Sequence, residues 1–347
     1  MAASLITKIP PYIFPFQVNR LEIQTQANAD CKVMVEVDYL PILSAYLTAG
    51  HNGVVTLDDL QPLVSETAEA CGAMPVHFSV SADGVELGTA SILPCRHLLD
   101  LSAEEVAKKY FLSAAMGRMR MISDTALLHL SWAALADDGE LKLIVYWYSP
   151  TLKAAAHTVH YPEVTEIDEI YRTATVDVSN LTPPENYGYR IMRMEACCGL
   201  RTQTYTFPAD GLSIGETHEV EYTNLFMLPD TLLLTGTAIE EEHNTYTTAR
   251  LNGRLQNVRV TGEPSVKCQS GPLHDGDLNV LRDLALSRAA AVKGRNIIVT
   301  GVECKHKKTD SDLIEAEITW KYADSSYTFA SGHTPRIFDE KFDYSFN

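Results

Sequence analysis

The residues of this sequence with the clearest potential for chemistry are a histidine pair and a short acidic loop. His157 and His160 stand three apart in a stretch with strand-like alternation. On a strand this spacing directs the two side chains to opposite faces, so they cannot share a metal ion. His274-Asp275-Gly276-Asp277 offers a D-x-D pattern of the kind found in calcium loops. It lacks the later bidentate glutamate and precedes a helical pattern, so we interpret it as a helix cap.

Acidic residues and cysteines also stand side by side along the chain. The acidic runs are Asp58-Asp59, Asp137-Asp138 and Glu240-Glu241-Glu242, the last followed by His243. Adjacent acids on a loop face water, whereas glycosidase carboxylates must oppose each other across a cleft. Cys197-Cys198 lies where two strands turn at Gly199, without a basic neighbour that would lower a thiol pKa. A hydrolase whose two acids come from distant segments stays open.

Sequence motifs for nucleotide binding and for serine hydrolysis are absent. The chain has no G-x-x-x-x-G-K-[ST], no G-x-G-x-x-G and no G-x-S-x-G. It also has no C-x-x-C pair for a thiolate zinc site. The sequence therefore predicts no catalytic residue, no cofactor, no metal ligand and no enzymatic activity.

Tyrosines are the remaining signal for ligand binding. Seven of them could line a face that binds sugar or protein, although tyrosine is also favoured in strands generally. They are Tyr146, Tyr148, Tyr187, Tyr189, Tyr205, Tyr222 and Tyr246. A glycan-binding module is therefore an alternative to a purely structural protein.

Composition indicates a globular protein and limits its partners. The 347 residues are 46% hydrophobic and 21% charged, which excludes disorder of the whole chain. A net charge of −17 opposes nucleic-acid binding, since phosphate neutralisation requires a surplus of Lys and Arg. No run approaches the roughly 18 apolar residues of a membrane span. Seven scattered cysteines and the lack of a signal-peptide pattern predict folding in a reducing compartment.

The pattern of elements is built around the stretch Glu219–Val260. It predicts two strands on either side of a break at Pro229, a polar excursion over Glu240–Asn244 and a return strand. Hairpins are predicted over 74–93, 127–148 and 187–206, and an alternating strand over Cys31–Tyr39.

Three helices are predicted. The first is capped by Asp58 or Asp59 and ends at Gly72; the second starts at the capping box of Ser102 and runs to about Ala115. The third follows Asp275 or Asp277 and runs from Leu278 to about Val292. Short turns join most strands, so we expect a mainly β chain of tandem antiparallel β-sandwich domains, Ig-like or jelly-roll-like, with about three inserted helices. The predicted domains are 1–125, 126–182 and 183–347.

Four stretches of the second half of the chain share features with a known group of proteins: Tyr222–Thr231, Leu278–Ser287, Ile298–Cys304 and Ala316–Tyr322. The first contains an Asn-x-Phe-x-x-Pro-[DE]-Thr pattern over Asn224–Thr231. Together they resemble uncharacterised β-rich structural proteins from prophages of gut Bacteroidales, which have small residues where this chain has bulky ones beside Phe226. This resemblance implies a virion or tail-associated protein that is made and assembled in the bacterial cytoplasm.

The resulting expectation is a non-enzymatic structural protein of a phage or phage-like particle. Its partners would be copies of itself and other virion or tail proteins. Host-surface glycans are the alternative partner, and neither nucleic acid nor a membrane is expected. Aromatic termini predict the contact surfaces. These are Tyr12, Phe14 and Phe16 in an N-terminal arm, and Phe338, Phe342, Tyr344 and Phe346 in a C-terminal tail.

Overall fold

A computed structural model describes most of the chain. It covers residues 3–72, 75–96, 99–135, 138–167, 170–184, 188–208, 217–251, 254–305, 314–323 and 327–329. This part contains 24 strands and three α-helices, and most strand pairs are antiparallel. The fold is therefore mainly β with several antiparallel sheets, as the sequence predicted.

The chain divides into two compact units whose segments interleave along the sequence. Unit 1 comprises Met1–Ala209, Tyr222–Leu232 and His274–Ser287; unit 2 comprises Asp210–Glu221, Leu233–Leu273 and Arg288–Asn347. The domains predicted from the sequence, 1–125, 126–182 and 183–347, are continuous segments. Units of this kind depend on contacts between residues far apart in sequence, which composition does not reveal.

Residues 4–92 of unit 1 form two sheets that share one apolar core. Their strands are β1 (Ser4–Leu5), β2 (Tyr12–Ile13), β3 (Leu21–Gln24), β4 (Asp30–Val37), β5 (Leu40–Thr48), β6 (Val54–Leu57), β7 (Val76–Ala82) and β8 (Val85–Ile92). The sheet orders are β1-β3-β6 and β2-β8-β7-β4-β5. Along β4 the alternate residues Cys31, Val33, Val35 and Val37 are fully buried, which confirms the predicted alternation.

Two helices accompany these strands. Helix α1 (Gln61–Cys71) ends at Gly72, whose φ of +94° favours glycine, but Leu60 and not an aspartate precedes its first turn. In α2 (Ala103–Lys109) the Ser102 hydroxyl accepts the Glu105 amide at 3.2 Å, so the predicted cap is confirmed. Helix α2 ends at Lys109, not near Ala115, because Tyr110 takes an extended conformation.

The rest of unit 1 adds a second pair of sheets around another core. Their strands are β9 (Arg120–Met121), β10 (Leu127–Ala133), β11 (Lys142–Ser149), β12 (Ala154–His160), β13 (Thr165–Ile167), β14 (Tyr171–Asp177), β15 (Arg190–Cys198) and β16 (Arg201–Thr206). The sheet orders are β12-β11-β15-β16-β9 and β10-β14-β13. The hairpin predicted over 127–148 is wrong, because β10 and β11 lie in different sheets and fill the same core with Trp132 and Trp147.

One eight-stranded sheet carries most of unit 2. Its strands are β17 (His218–Thr223), β18 (Pro229–Leu234), β19 (Ala238–Leu251), β20 (Arg254–Gln269), β21 (Ala290–Val292), β22 (Arg295–Lys305), β23 (Glu315–Tyr322) and β24 (Tyr327–Phe329). Their order is β18-β17-β21-β22-β23-β20-β19, and β24 also pairs with β20. The polar excursion predicted at 240–244 is wrong, since these residues lie within β19 and pair with β20.

Helix α3 (Asp275–Leu286) belongs to unit 1 and ends before the predicted Val292. Its second residue, Gly276, lies against backbone: the Gly276 amide donates to the Met119 carbonyl at 3.1 Å. A Cβ atom at Gly276 would stand only 2.4 Å from that carbonyl oxygen. Glycine is therefore required here for close approach of two backbones.

We expect Gly276→Ala to lower the free energy of unfolding by about 1–3 kcal/mol, because the added methyl group must displace backbone. Urea unfolding followed by tryptophan fluorescence would measure the loss. Gly139→Ala is the control, since its Cβ would meet its nearest atom at 3.6 Å, an ordinary contact. Equal stability of the two variants would contradict the close approach.

Candidate functional site

The predicted N-terminal arm lies inside unit 1. Tyr12 and Phe14 are 9% and 0% exposed, and the Tyr12 hydroxyl donates to the Ala134 carbonyl at 2.7 Å. Phe16 is half-buried and stacks on Phe14 with ring centroids 5.1 Å apart. The segment is buried because β2 pairs in parallel with β8. Tyr12 and Phe14 therefore do not form an exposed contact arm. Residues Phe338, Phe342, Tyr344 and Phe346 lie outside the described residues.

The histidines and the acidic loop behave as their spacing predicts. On β12, His157 is exposed while His160 is half-buried on the other face, 2.8 Å from the Thr158 hydroxyl. Asp277 caps helix α3: its carboxylate accepts the amide of His274 at 3.0 Å and that of Met121 at 2.9 Å. Within the described ranges, no group of three or more His, Cys, Asp or Glu side chains could hold a metal ion.

The cysteine pair and the tyrosines differ in their burial. Burial raises the pKa of both the Cys197 and Cys198 thiols, which disfavours the reactive thiolate. Of the seven tyrosines, Tyr205 and Tyr222 are buried, whereas Tyr146 and Tyr246 are exposed in different units. Tyr187 lies outside the described residues. Glycan binding therefore stays a prediction.

A buried ion pair is the most prominent polar feature of unit 1. The Arg120 guanidinium binds the Asp230 carboxylate at 2.6 Å, and the two side chains are only 3% and 8% exposed. The Ser113 hydroxyl donates to the same carboxylate at 2.9 Å, and Arg120 also donates to the Thr231 carbonyl. Burial alone lowers the pKa of Arg120, but Asp230 and neighbouring phenols raise it above its ordinary value. The Arg120 guanidinium therefore stays charged.

The proline break predicted between two strands is a closed turn. Strand β17 ends at Thr223 and β18 begins at Pro229. In between, the Asn224 side-chain oxygen accepts the amides of Phe226 at 2.9 Å and Leu228 at 3.1 Å. Its amide group donates to the Leu112 carbonyl at 3.0 Å. Asn224 therefore fixes the turn that delivers Asp230 to Arg120.

Helix α3 supplies a further buried acid to this turn. The Asp283 carboxylate accepts the Leu225 amide at 2.9 Å and is 5% exposed. Burial raises the pKa of Asp283 to about 7, and the nearby charge of Asp230 raises it as well. Burial also raises the pKa of Tyr222 well above its ordinary value. Hydrogen bonds hold the buried polar side chains around this turn and helix α3. We define the buried charge network as Arg120, Asp230, Asn224, Asp277 and Asp283.

The space beside this network is too small for a substrate. The cavity lined by Arg120, Asp230, His129 and Tyr205 has a volume of about 20 Å³. That volume admits about one water molecule. Among the described residues, the network therefore joins segments of unit 1, and this cavity has no room for a substrate between two acids.

A second buried arginine joins other segments of unit 1. Arg201 is fully buried, pairs with Asp138 and donates to the carbonyls of Ala107 at 3.0 Å and Ala133 at 2.8 Å. Asp138 lies between β10 and β11, where the sequence predicted a solvent-facing hairpin turn. This contact holds the chain where it passes from one sheet to the other.

The surface feature that sequence reasoning missed is the edge strand β5. It is the outermost strand of its sheet, and none of the other described strands pairs with its outer side. The sequence from Tyr39 to Gly50 contains no charged residue. Tyr39, Leu40 and Tyr46 are 73%, 56% and 75% exposed. Edge strands usually carry charges that prevent pairing with other chains, so an uncharged apolar edge indicates a contact surface.

The opposite situation holds at the edge strand β19 of unit 2. There Glu240 and Glu242 are exposed on the strand, and Glu241 is bound by Lys267 at 3.2 Å. Such charges oppose pairing with a second copy. The contrast, together with the exposed Tyr39, Leu40 and Tyr46, makes β5 a candidate interaction surface of the described chain.

Comparison with models of known protein families gives no match, and comparison with curated proteins gives none either. The resemblance to prophage structural proteins therefore stays a prediction. Among the described helices, none combines the length and the apolar character needed to cross a membrane.

Breaking the buried pair should be far more costly than breaking an exposed one. We expect Asp230→Asn to lower the free energy of unfolding by about 3–5 kcal/mol, because Arg120 then keeps a buried charge without a counter-charge. The control is Glu22→Gln, which breaks the exposed Arg20–Glu22 pair of 2.7 Å and should cost less than about 1 kcal/mol. Similar losses in urea unfolding would show that the buried pair does not stabilise unit 1.

Stability should also depend on the protonation of Asp283. Its carboxyl is protonated in the folded chain below about pH 7 but ionised in the unfolded chain above about pH 4. The folded state binds the additional proton between these values, so this contribution to stability is lost as the pH rises. Relative to the Asp283→Asn variant, the free energy of unfolding of the wild type should fall by on the order of 1–4 kcal/mol between pH 4 and pH 7. Parallel stability curves would contradict this, and the exposed Asp275→Asn serves as the control.

Proposed function

We propose that this chain is a non-enzymatic structural protein of a phage or phage-like particle, associated with the tail or virion. It acts through protein–protein contacts in a symmetric assembly with copies of itself and other particle proteins, and it is assembled in the bacterial cytoplasm. The uncharged edge strand β5 is the observation that carries the contact-based part of this proposal. The assignment to a phage or phage-like particle is based on the sequence resemblance.

Pairing of two β5 strands would satisfy backbone groups at both edges, except at Pro41, which has no N–H to donate. An antiparallel pair of identical strands has two-fold symmetry, so each residue faces a residue of the same set. Since Leu40–Thr48 has no charged side chain, every register places neutral residues opposite neutral residues. No like-charge repulsion opposes the pairing at the strand itself.

The net charge of the chain makes this surface selective. At −17 the copies repel one another over most of their surface. Association then requires a patch where apolar contact and backbone pairing are not accompanied by carboxylates. Strand β5 meets that requirement, whereas β19 does not.

Charging the edge should separate the copies. We expect the wild type to sediment as an oligomer and the double variant Ser44→Lys, Tyr46→Lys to shift to the monomer, because lysines would face each other across the pair. Added salt should strengthen association of the wild type by screening the net charge. Analytical ultracentrifugation and mass photometry would measure both effects.

Ile239→Lys provides the matched control, because Ile239 is 59% exposed on the charged edge β19. It should leave the oligomeric state unchanged. A wild-type chain that is monomeric at all concentrations and absent from particles in induced lysate would overturn the proposed function.

A further inference from the structure

A cleft in unit 1 is the feature that the proposed function leaves unused. Its volume is about 250 Å³, and its apolar wall includes Ile13, Val18, Leu21 and Phe78. These four side chains are at most 5% exposed, so the wall is part of the sandwich core. The predicted N-terminal arm helps to form this cleft, since Tyr12 also lines it.

The volume of the cleft indicates the size of its occupant. Sites for whole small molecules occupy about 300–1,000 Å³, so this cleft is small for such a ligand. A large apolar side chain that projects from a peptide requires less space. Aromatic side chains inserted in such pockets are the usual anchors of protein interfaces.

The charges around the cleft indicate the chemistry next to the anchor. Lys8 and Arg20 line it together with Glu104. Glu104 is already bound by Lys108 at 2.6 Å, and Arg20 is bound by Glu22 at 2.7 Å. Lys8 is exposed at the cleft, and its charge also contributes to lowering the pKa of Glu104. An aromatic residue followed by an acid would therefore match both the wall and the charge.

The chain itself contains this pattern twice, in the segment 331–347 that lies outside the described residues. Phe338 is followed by Asp339, and Phe342 is followed by Asp343. We propose that the cleft of one copy binds the aromatic–acidic segment 338–343 of a second copy. The inference rests on the proposed self-assembly and assigns it a second contact, apart from β5.

Peptide binding provides the first test. A fluorescent peptide of residues 331–347 is titrated into the full chain and followed by anisotropy. The Phe338→Ala, Phe342→Ala peptide should bind at least about tenfold more weakly, because it lacks the anchors. Lys8→Glu in the protein should weaken binding of the wild-type peptide. Lys32→Glu should leave that binding unchanged, because Lys32 is exposed and lies outside the cleft lining. Equal affinity of the two peptides would overturn the inference.

Photo-crosslinking decides which copy supplies the segment. A benzophenone amino acid at position 342 is placed in the full chain, and ¹⁴N- and ¹⁵N-labelled copies are mixed before irradiation. Mixed-isotope crosslinks to residues 7–21 are expected. Crosslinks only within one copy, or none to these residues, would overturn the inference. If mass photometry still shows oligomers in that case, the proposed function stands; if it shows monomers, both fail.

Discussion

The buried pair of Arg120 and Asp230 is the constraint on which unit 1 depends. Removing two charges from water is costly, and their attraction offsets this cost only when the remaining donors and acceptors are also satisfied. Ser113 and the Thr231 carbonyl satisfy part of that set, whereas the Arg120 Nε–H is buried without a hydrogen-bond partner among the described residues. Because Asp230 is delivered by the Asn224 turn, the pair fixes a segment 110 residues away in sequence.

The same principle explains why residues 222–232 and 274–287 belong to unit 1. Asn224, Asp277 and Asp283 each bind backbone groups of distant segments, at Leu112, Met121 and Leu225. An acid buried in this way can be satisfied in one arrangement only, which favours a unique packing over other compact states. Buried polar groups here therefore serve architecture.

Local sequence rules predicted the elements that depend on neighbouring residues. The alternation along β4, the end of α1 at Gly72 and the cap at Ser102 are all visible in a few consecutive residues. The hairpin over 127–148 was wrong because the partners of β10 and β11 are distant strands, and Asp138 between them binds Arg201. The acids of β19 suggested a loop, yet β20 pairs with the strand along its whole length.

The candidate surface was only partly accessible to sequence reasoning. The uncharged run from Tyr39 to Gly50 is plain in the sequence, but whether a strand lies at an edge or in the middle of a sheet depends on topology. Burial of Tyr12 and Phe14 was equally hidden, because parallel pairing of β2 with β8 joins residues almost 80 positions apart. In the proposed assembly, charge selects where copies meet: at an uncharged edge strand and at a cleft lined by Lys8, on a chain with a net charge of −17.

Hydrogen exchange of the β5 backbone as a function of protein concentration tests the central claim most directly. Amides at the outer edge of a sheet exchange readily unless another strand binds them. If copies pair through β5, the amides of Leu40–Thr48 should become protected as the concentration rises, while those of the charged edge β19 should not. Exchange of β5 that is the same at every concentration, in a sample shown to be oligomeric, would contradict the account.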